Sequence, residues 1–342
     1  LPGEHFNTVL FTGDNSSNAV TGVGFQPDFL WVKQRTTSSN HGLSDAVRGA
    51  TAILSTSLTD DEAVSSTYIE SFDSDGFTAG SNSWLNENTQ AYVAWNWLAS
   101  TTFNPATAGT VTTGSGRSNA TAGFSIVGYT GEASGMTIGH GLSQTPEFIT
   151  VKCRTADGSY WPTGASSSVL GMGFSDNKYM YMNGSAEALV NSAWWDSTNP
   201  TPSVFSVGTD VDINDSSRTY ISYLFHSVEG FSKVGSYTGN GDATSGTFVY
   251  TGFRPSFVMI KNTDGNAHWE ILDDKRNEYN EMGKYLNPNL PNAEGDDGTR
   301  DLDFVSNGFK LRSAYANAIN GDGNTYLYVS FAAYPFKYAN AR

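Results

Sequence analysis

One cysteine, Cys153, stands in 342 residues, so no disulfide can close within this chain. A buried, inert thiol in the strand beginning at Phe148 is the expectation for it. Such cysteine usage fits a cytoplasmic assembly site better than secretion through an oxidising compartment. Charge is also scarce: Asp, Glu, Lys and Arg together make up 15% of the residues, and Lys-Glu helix patterning is nearly absent. Lys and Arg number 19 against 34 Asp and Glu, a net charge of −15. That balance excludes nucleic acid as a partner, since phosphates call for clustered cations. It disfavours anionic membrane surfaces equally. No run reaches the roughly 18 apolar residues of a membrane-spanning helix, so no membrane insertion is expected. An initiator Met and a signal peptide are missing too, and Leu1-Pro2-Gly3 reads as a cut end, of a processed product or of a longer polypeptide. There is no Gly-rich phosphate loop, no His-Glu-x-x-His, no Cys pair for zinc and no Gly-x-Ser-x-Gly elbow. The five histidines fall at unmatched places. These gaps lead us to expect no cofactor and no enzymatic activity.

What the chain does have is aromatics, at 13%, set among abundant Gly, Ser, Thr and Asn, and it has them three times over. Phe11-Thr12-Gly13 returns as Tyr129-Thr130-Gly131 and Tyr237-Thr238-Gly239. Gly24-Phe25-Gln26-Pro27-Asp28-Phe29 is echoed by Gly252-Phe253-Arg254-Pro255-Ser256-Phe257, and more weakly by Thr145-Pro146-Glu147-Phe148. A Val/Ile-Lys pair follows each time, ending on Lys33, Lys152 and Lys261. Pro27 to Pro146 is 119 residues and Pro146 to Pro255 is 109, a period that means three copies of a whole domain.

The copies are rich in strand patterns. Alternation in Phe29–Lys33 and Phe257–Lys261, and Asp-Gly or Asn-Gly turns at Asp75-Gly76 and Asn307-Gly308, point to antiparallel hairpins. Each copy closes on an aromatic strand, opening with Tyr92, Tyr220 or Tyr328. Val93, Trp95 and Trp97 then share a core face, with Ile221, Tyr223 and Phe225, and Val329, Phe331 and Ala333, as counterparts. Phe331 and Tyr334 supply the third copy's aromatic complement. Short helical turns are expected near Asp60–Ala63 and Asn292–Glu294. The fold class is all-β: three tandem antiparallel β-sandwich, jelly-roll-like repeats at 1–99, 122–230 and 231–342. The Thr/Ser/Gly/Ala stretch 100–121 reads as a linker, so the first copy is expected to swing while the other two form one rigid body.

Candidate sites are few. Asp210-x-Asp212-x-Asn214-Asp215 looks like the opening of a calcium loop, but Asp215 and Ile221 stand where an EF-hand needs Gly and Glu. The same place holds Asn86-Glu87-Asn88 and Asn320-Gly321-Asp322-Gly323 in the sister copies, which favours a plain turn. Asp296, Asp297, Asp301 and Asp303 make a second acidic cluster. Asp45-x-x-Arg48 and Asp273-x-x-Arg276 recur at one offset after their lysines, as a structural ion pair or a ligand clamp. The middle copy lacks the pair and carries Tyr160-Trp161 there instead, then Tyr179-Met180-Tyr181-Met182 and Trp194-Trp195-Asp196. Either these rings extend the core, or Tyr160, Trp161, Trp194 and Trp195 form a surface that stacks on sugars.

The runs His5-Phe6-Asn7-Thr8-Val9, Gly22–Phe29, Phe72–Phe77, Tyr92–Trp97, Gly235–Gly241 and Tyr250–Pro255 resemble a repeat family of tail-fibre-like virion structural proteins in marine tailed bacteriophages. The resemblance covers nearly the whole chain and is weakest from Cys153 to Asn199. It implies a virion protein assembled in the host cytoplasm, partnered by other virion proteins and by a host-surface glycan. It brings no catalytic or binding residues. Three readings stay open: a tail-fibre segment for host attachment, a capsid decoration protein, or a glycan-degrading tail-spike enzyme drawing on carboxylates such as Asp196, Asp210 and Asp212. Three similar copies also leave open a homotrimer or a single chain with pseudo-threefold symmetry.

Overall fold

A computed structural model describes residues 1–171, 173–314 and 316–332. The chain is built from antiparallel sheets with only short helical turns between them. Three large sheets share one core order: opening strand, closing strand, middle strand, flanking strand. The opening strands are Phe6–Thr12, Phe124–Thr130 and Ser232–Thr238, and the closing strands Ala91–Trp97, Thr219–Phe225 and Thr325–Ala332. The middle strands are Phe29–Gln34, Phe148–Cys153 and Pro255–Asn262, and the flanking strands Gly42–Asp45, Pro162–Ala165 and Glu270–Asp273.

Pairing registers fix the equivalences. Phe11 faces Tyr92, Tyr129 faces Tyr220 and Tyr237 faces Tyr326. Each pair of rings stacks, with centroids 4.9, 5.2 and 5.0 Å apart. The third closing strand is therefore aligned on Tyr326, two residues earlier than Tyr328, the residue the sequence suggests. A shift of two keeps every side chain on its face, so Leu327, Val329 and Phe331 are the counterparts of Val93, Trp95 and Trp97. Ala333 and Tyr334 lie outside the described residues.

Because successive side chains on a strand point to opposite faces, each large sheet has two apolar faces to cover. One faces a small sheet: Asn18–Thr21, Gly76–Ala79 and Ile69–Asp73 in the first unit, Met136–Gly139 and Val204–Val207 in the second, Phe248–Tyr250, Gly308–Leu311 and Leu302–Val305 in the third. Three separate cores fill these spaces, with Cys153 fully buried in the second. The other faces turn on one another and make a fourth, central core, to which all three units contribute. At its middle Trp97, Phe225 and Phe331, equivalent by register, touch in every pairing, with centroids 6.3, 5.6 and 5.7 Å apart. Three equivalent rings in mutual contact mark a pseudo-threefold axis.

Two expectations need correction. The stretch 100–121 is no free linker: Thr101–Phe103 and Gly114–Asn119 pair with one another, and the latter pairs with the opening strand of the second unit. Arg117 on that added strand reaches the buried Asp28 at 3.2 Å, and Asn119 meets His5 at 3.0 Å, so the stretch also grips the first unit. The helical turns fall elsewhere than Asp60–Ala63 and Asn292–Glu294. Three of them, Ser83–Asn86, Val211–Asn214 and Ala316–Asn320, immediately precede the closing strands.

Each ends on an asparagine whose side chain closes the unit. Asn86, Asn214 and Asn320 accept from the backbone N–H of Asp14, Glu132 and Asn240. Their amide groups each donate to two carbonyls, one in an exposed loop and one buried: Ser16 and Gly80, Ser134 and Gly208, Asp242 and Ser313. The tyrosine that opens each closing strand then accepts from the N–H of Glu87, Asp215 or Gly321. This close approach explains the repeated glycine. A Cβ on Gly13, Gly131 or Gly239 would lie 2.2–2.4 Å from the carbonyl oxygen of Glu87, Asp215 or Gly321.

Candidate functional site: the seams between the units

The side chains singled out by repetition converge on the three seams that surround the axis. Four residues before the end of each flanking strand stands a ring that donates to a backbone carbonyl of the neighbouring unit. Trp161 Nε1 donates to Ser55 of the first unit at 2.8 Å, and Trp269 Nε1 to Tyr181 of the second at 2.9 Å. His41 completes the cycle by contacting the Asn287 carbonyl of the third at 2.9 Å. Burial holds the His41 pKa well below the usual histidine range, so the ring is neutral. Its Nδ1 accepts from Trp31 Nε1 at 2.8 Å, which places the proton on Nε2, facing Asn287.

The repeated lysines are buried beside the same seams. Lys152 donates to Thr59 of the first unit at 2.9 Å and Lys261 to Ser185 of the second at 3.3 Å; Lys33 donates to its neighbour Gln34 at 2.6 Å. Burial pushes their pKa values down to about 7 for Lys33 and about 8 for Lys152 and Lys261. A further backbone bond recurs at each seam, from Glu62 to Arg154, Ala188 to Thr263 and Glu294 to Arg35.

Among the described residues, two seams carry ion networks and the third carries none. Asp45 takes Arg48 at 2.5 Å and Asp273 takes Arg276 at 2.6 Å, all four side chains fully buried. Arg48 also holds Glu62, which binds Arg154 of the second unit; Arg276 holds Glu294, which binds Arg35 of the first. Burial works against both Glu carboxylates, but their paired arginines outweigh it and hold them below the ordinary range. Each aspartate receives one more bond across the seam: Tyr223 Oη donates to Asp45 at 2.8 Å, and Trp95 Nε1 to Asp273 at 3.1 Å.

In the remaining seam Ala165 stands in the aspartate's register position, opposite Phe148 as Asp45 is opposite Phe29. The closing-strand residue equivalent to Trp95 and Tyr223 is Val329, which has no donor. Acceptor and donor are lost together, and the seam is apolar there. The slot is thus filled by Ala165 rather than by Tyr160-Trp161, whose tryptophan occupies the position of His41 and Trp269.

The proposed sugar-stacking surface is not assembled. Trp161 lies in the central core, and Trp194 and Trp195 in the second unit's own core, each 2% exposed or less. Trp195 Nε1 donates to Lys178 and Trp194 packs on Tyr179. These rings lie against the strand Lys178–Tyr181, which with Leu189–Val190 holds the places that Gly49–Leu54 and Ala63–Val64 hold in the first unit's large sheet. Tyr160 alone is exposed, beside Tyr181.

Asp210 caps its helical turn by accepting from Asp212 N–H, and Asp215 accepts from Ser217. Asp297 accepts from Thr299 and Tyr285, Asp303 pairs with Arg312, and Asp301 and Asp296 both approach Gly283. Among the described residues no group of three or more His, Cys, Asp or Glu is placed to hold a metal ion. Asp196 approaches Gly135. No described helix is long and apolar enough to cross a membrane.

Repetition alone gave no notice of Phe248 and Tyr250, 48% and 66% exposed on a strand of the third unit's small sheet. The signal was available as a difference between copies. Their register equivalents are Ala19 and Thr21 in the first unit, Thr137 and Gly139 in the second.

Comparison with curated proteins finds no match. A family described as a domain of unknown function (DUF7483) matches residues 1–335, spanning all three units and the strands between them as one domain, and the chain belongs to this family.

Proposed function

We propose that this chain is a structural protein of a bacteriophage virion, a tail-fibre-like appendage segment that presents a rigid body for contact with a host-surface glycan. In this reading the three units are jelly-roll-like sandwiches of common origin. What supports the likeness is the two-sheet build and the pairing of first strand with last in every unit. The observation that carries the proposal is the meeting of Trp97, Phe225 and Phe331 on one axis. Residues that repetition singles out serve to hold three units in a ring, which is the work of a scaffold. Trimeric symmetry is thereby available within a single chain, and a monomer can seat on a threefold partner without assembling first. The same observation favours a second reading, a decoration protein capping a threefold position of the capsid.

Particles encoding this chain, imaged with gold-conjugated antibody against the recombinant protein, test the proposal. Label at the tail tip supports the appendage and label over the capsid shell supports the cap. Particles free of label would overturn both.

A further inference from the structure

We propose that Phe248 and Tyr250 form a carbohydrate-binding shelf for a neutral, β-linked hexopyranose chain, an inference that deepens the attachment reading and rests on it. The two rings alternate with Val249, which is buried in the third unit's core, so both project from the outer face of the small sheet. Two residues along a strand separate them by about 7 Å, near enough for both to lie under one oligosaccharide. The shelf is kept flat from below. A Cβ on Gly308 would stand 3.2 Å from the Phe248 ring, and one on Gly252 3.7 Å from the Tyr250 hydroxyl, so glycine lies beside each ring.

Polar groups border the shelf on the same face. Lys310 is directly opposite Phe248 in the pairing, and Asp303, directly opposite Lys310, is buried beneath its ion pair. Arg312, two residues beyond Lys310, donates to Asp303 at 2.6 Å. Apolar rings beside the donors Lys310 and Arg312, the latter held by Asp303, match a sugar's two kinds of surface: C–H faces that stack, and equatorial hydroxyls that hydrogen-bond. β-Linked chains with equatorial substituents leave those C–H faces open. The chain's charge of −15 disfavours a polyanion.

The comparison between units supplies the remaining argument. Ala19 and Thr21, or Thr137 and Gly139, serve at these positions in sheets with the same buried contacts, Val20 on Phe77 and Ile138 on Phe205. Folding therefore does not require rings here. Two exposed aromatics where small or polar residues suffice are explained by a ligand.

Calorimetric titration of the full chain with cellohexaose and laminarihexaose, alongside Phe248→Ala, Tyr250→Ala and Tyr250→Phe, tests the proposal. Binding by the wild type, weakened at least tenfold by each alanine and less than threefold by Tyr250→Phe, with Tm unchanged, supports it. Binding that survives both alanines places the sugar site elsewhere and overturns the shelf while leaving attachment intact. Failure of the wild type to bind either oligosaccharide overturns the assigned ligand, and particle labelling then decides the attachment reading separately. A dimer in sedimentation that the alanine variants dissolve would assign the rings to a second copy of this chain and overturn the shelf.

Discussion

Tyr223 and Trp95 sit at one register position in different units and do the same thing with different atoms. Each donates a hydrogen bond to a buried aspartate of its neighbour, Asp45 or Asp273. A buried carboxylate is tolerable only when its oxygens are satisfied, so acceptor and donor are expected to appear and vanish together, as they do at Ala165 and Val329. Tyr223→Phe should cost about 1–3 kcal/mol, because it leaves an Asp45 lone pair without its partner. Ala165→Asp should cost more, about 3–5 kcal/mol, since neither an arginine nor a donor awaits it. Urea unfolding measures both; a neutral Ala165→Asp would mean that the third seam is wet and that its apolar character is misjudged.

Residue chemistry also sets the response to acid. Glu62 and Glu294 have folded-state pKa values below those of the unfolded chain, so they bind protons more readily once unfolded. Their contribution is fully present above the unfolded value, about 4.3, and is lost as pH falls through the lower folded values. Both sit in seams of the first unit, whereas Ala188 takes the equivalent place in the third seam. Tm should therefore fall below about pH 4.5, and Glu62→Gln with Glu294→Gln should start from a lower Tm and fall less steeply. Parallel curves for the two proteins would show that the seams are not where acid acts.

At the scale of elements, the repeated Phe/Tyr-Thr-Gly is a strand end pressed against the turn before the closing strand. Gly239→Ala would push a methyl group into the Gly321 carbonyl, and about 1–3 kcal/mol of overpacking strain is expected. Denaturant unfolding reads this directly, and a loss of under 0.3 kcal/mol would mean that the turn moves aside freely. These elements were legible because the glycine, the asparagine and the tyrosine recur in every copy and each does one local thing. The closing-strand face was legible too, even with the third copy misaligned by two, because a period of two is blind to that error. The strands at Thr101–Phe103 and Gly114–Asn119 were not legible. Apart from Phe103 and Arg117 their residues are small and polar, and pairing with a neighbour's edge needs backbone groups rather than apolar side chains. Trp194 and Trp195 stayed open between core and surface in the sequence, because the repeat pattern fails in their segment and no sister copy carries matching rings.

The whole molecule has a property that none of its units has alone. Trp31, Trp95 and Trp97 of the first unit, Phe148, Tyr223 and Phe225 of the second, and Phe257, Met259 and Phe331 of the third share one core. The sequence marked these faces as apolar but could not say that they face one another, since each unit's own small sheet was a sufficient partner for one side only. An isolated first unit would expose its side of that core, together with Asp45 and Arg48, so it should be insoluble or molten when expressed as residues 1–99. The most direct test is hydrogen exchange of the intact chain under EX2 conditions in increasing urea, following the amides of Val93, Ile221 and Leu327 on the three closing strands. A single shared core predicts that all three converge on one global unfolding free energy with one urea dependence. Exchange of Val93 through a separate, cheaper opening, with Ile221 and Leu327 still protected, would contradict it and make the first unit an independent domain.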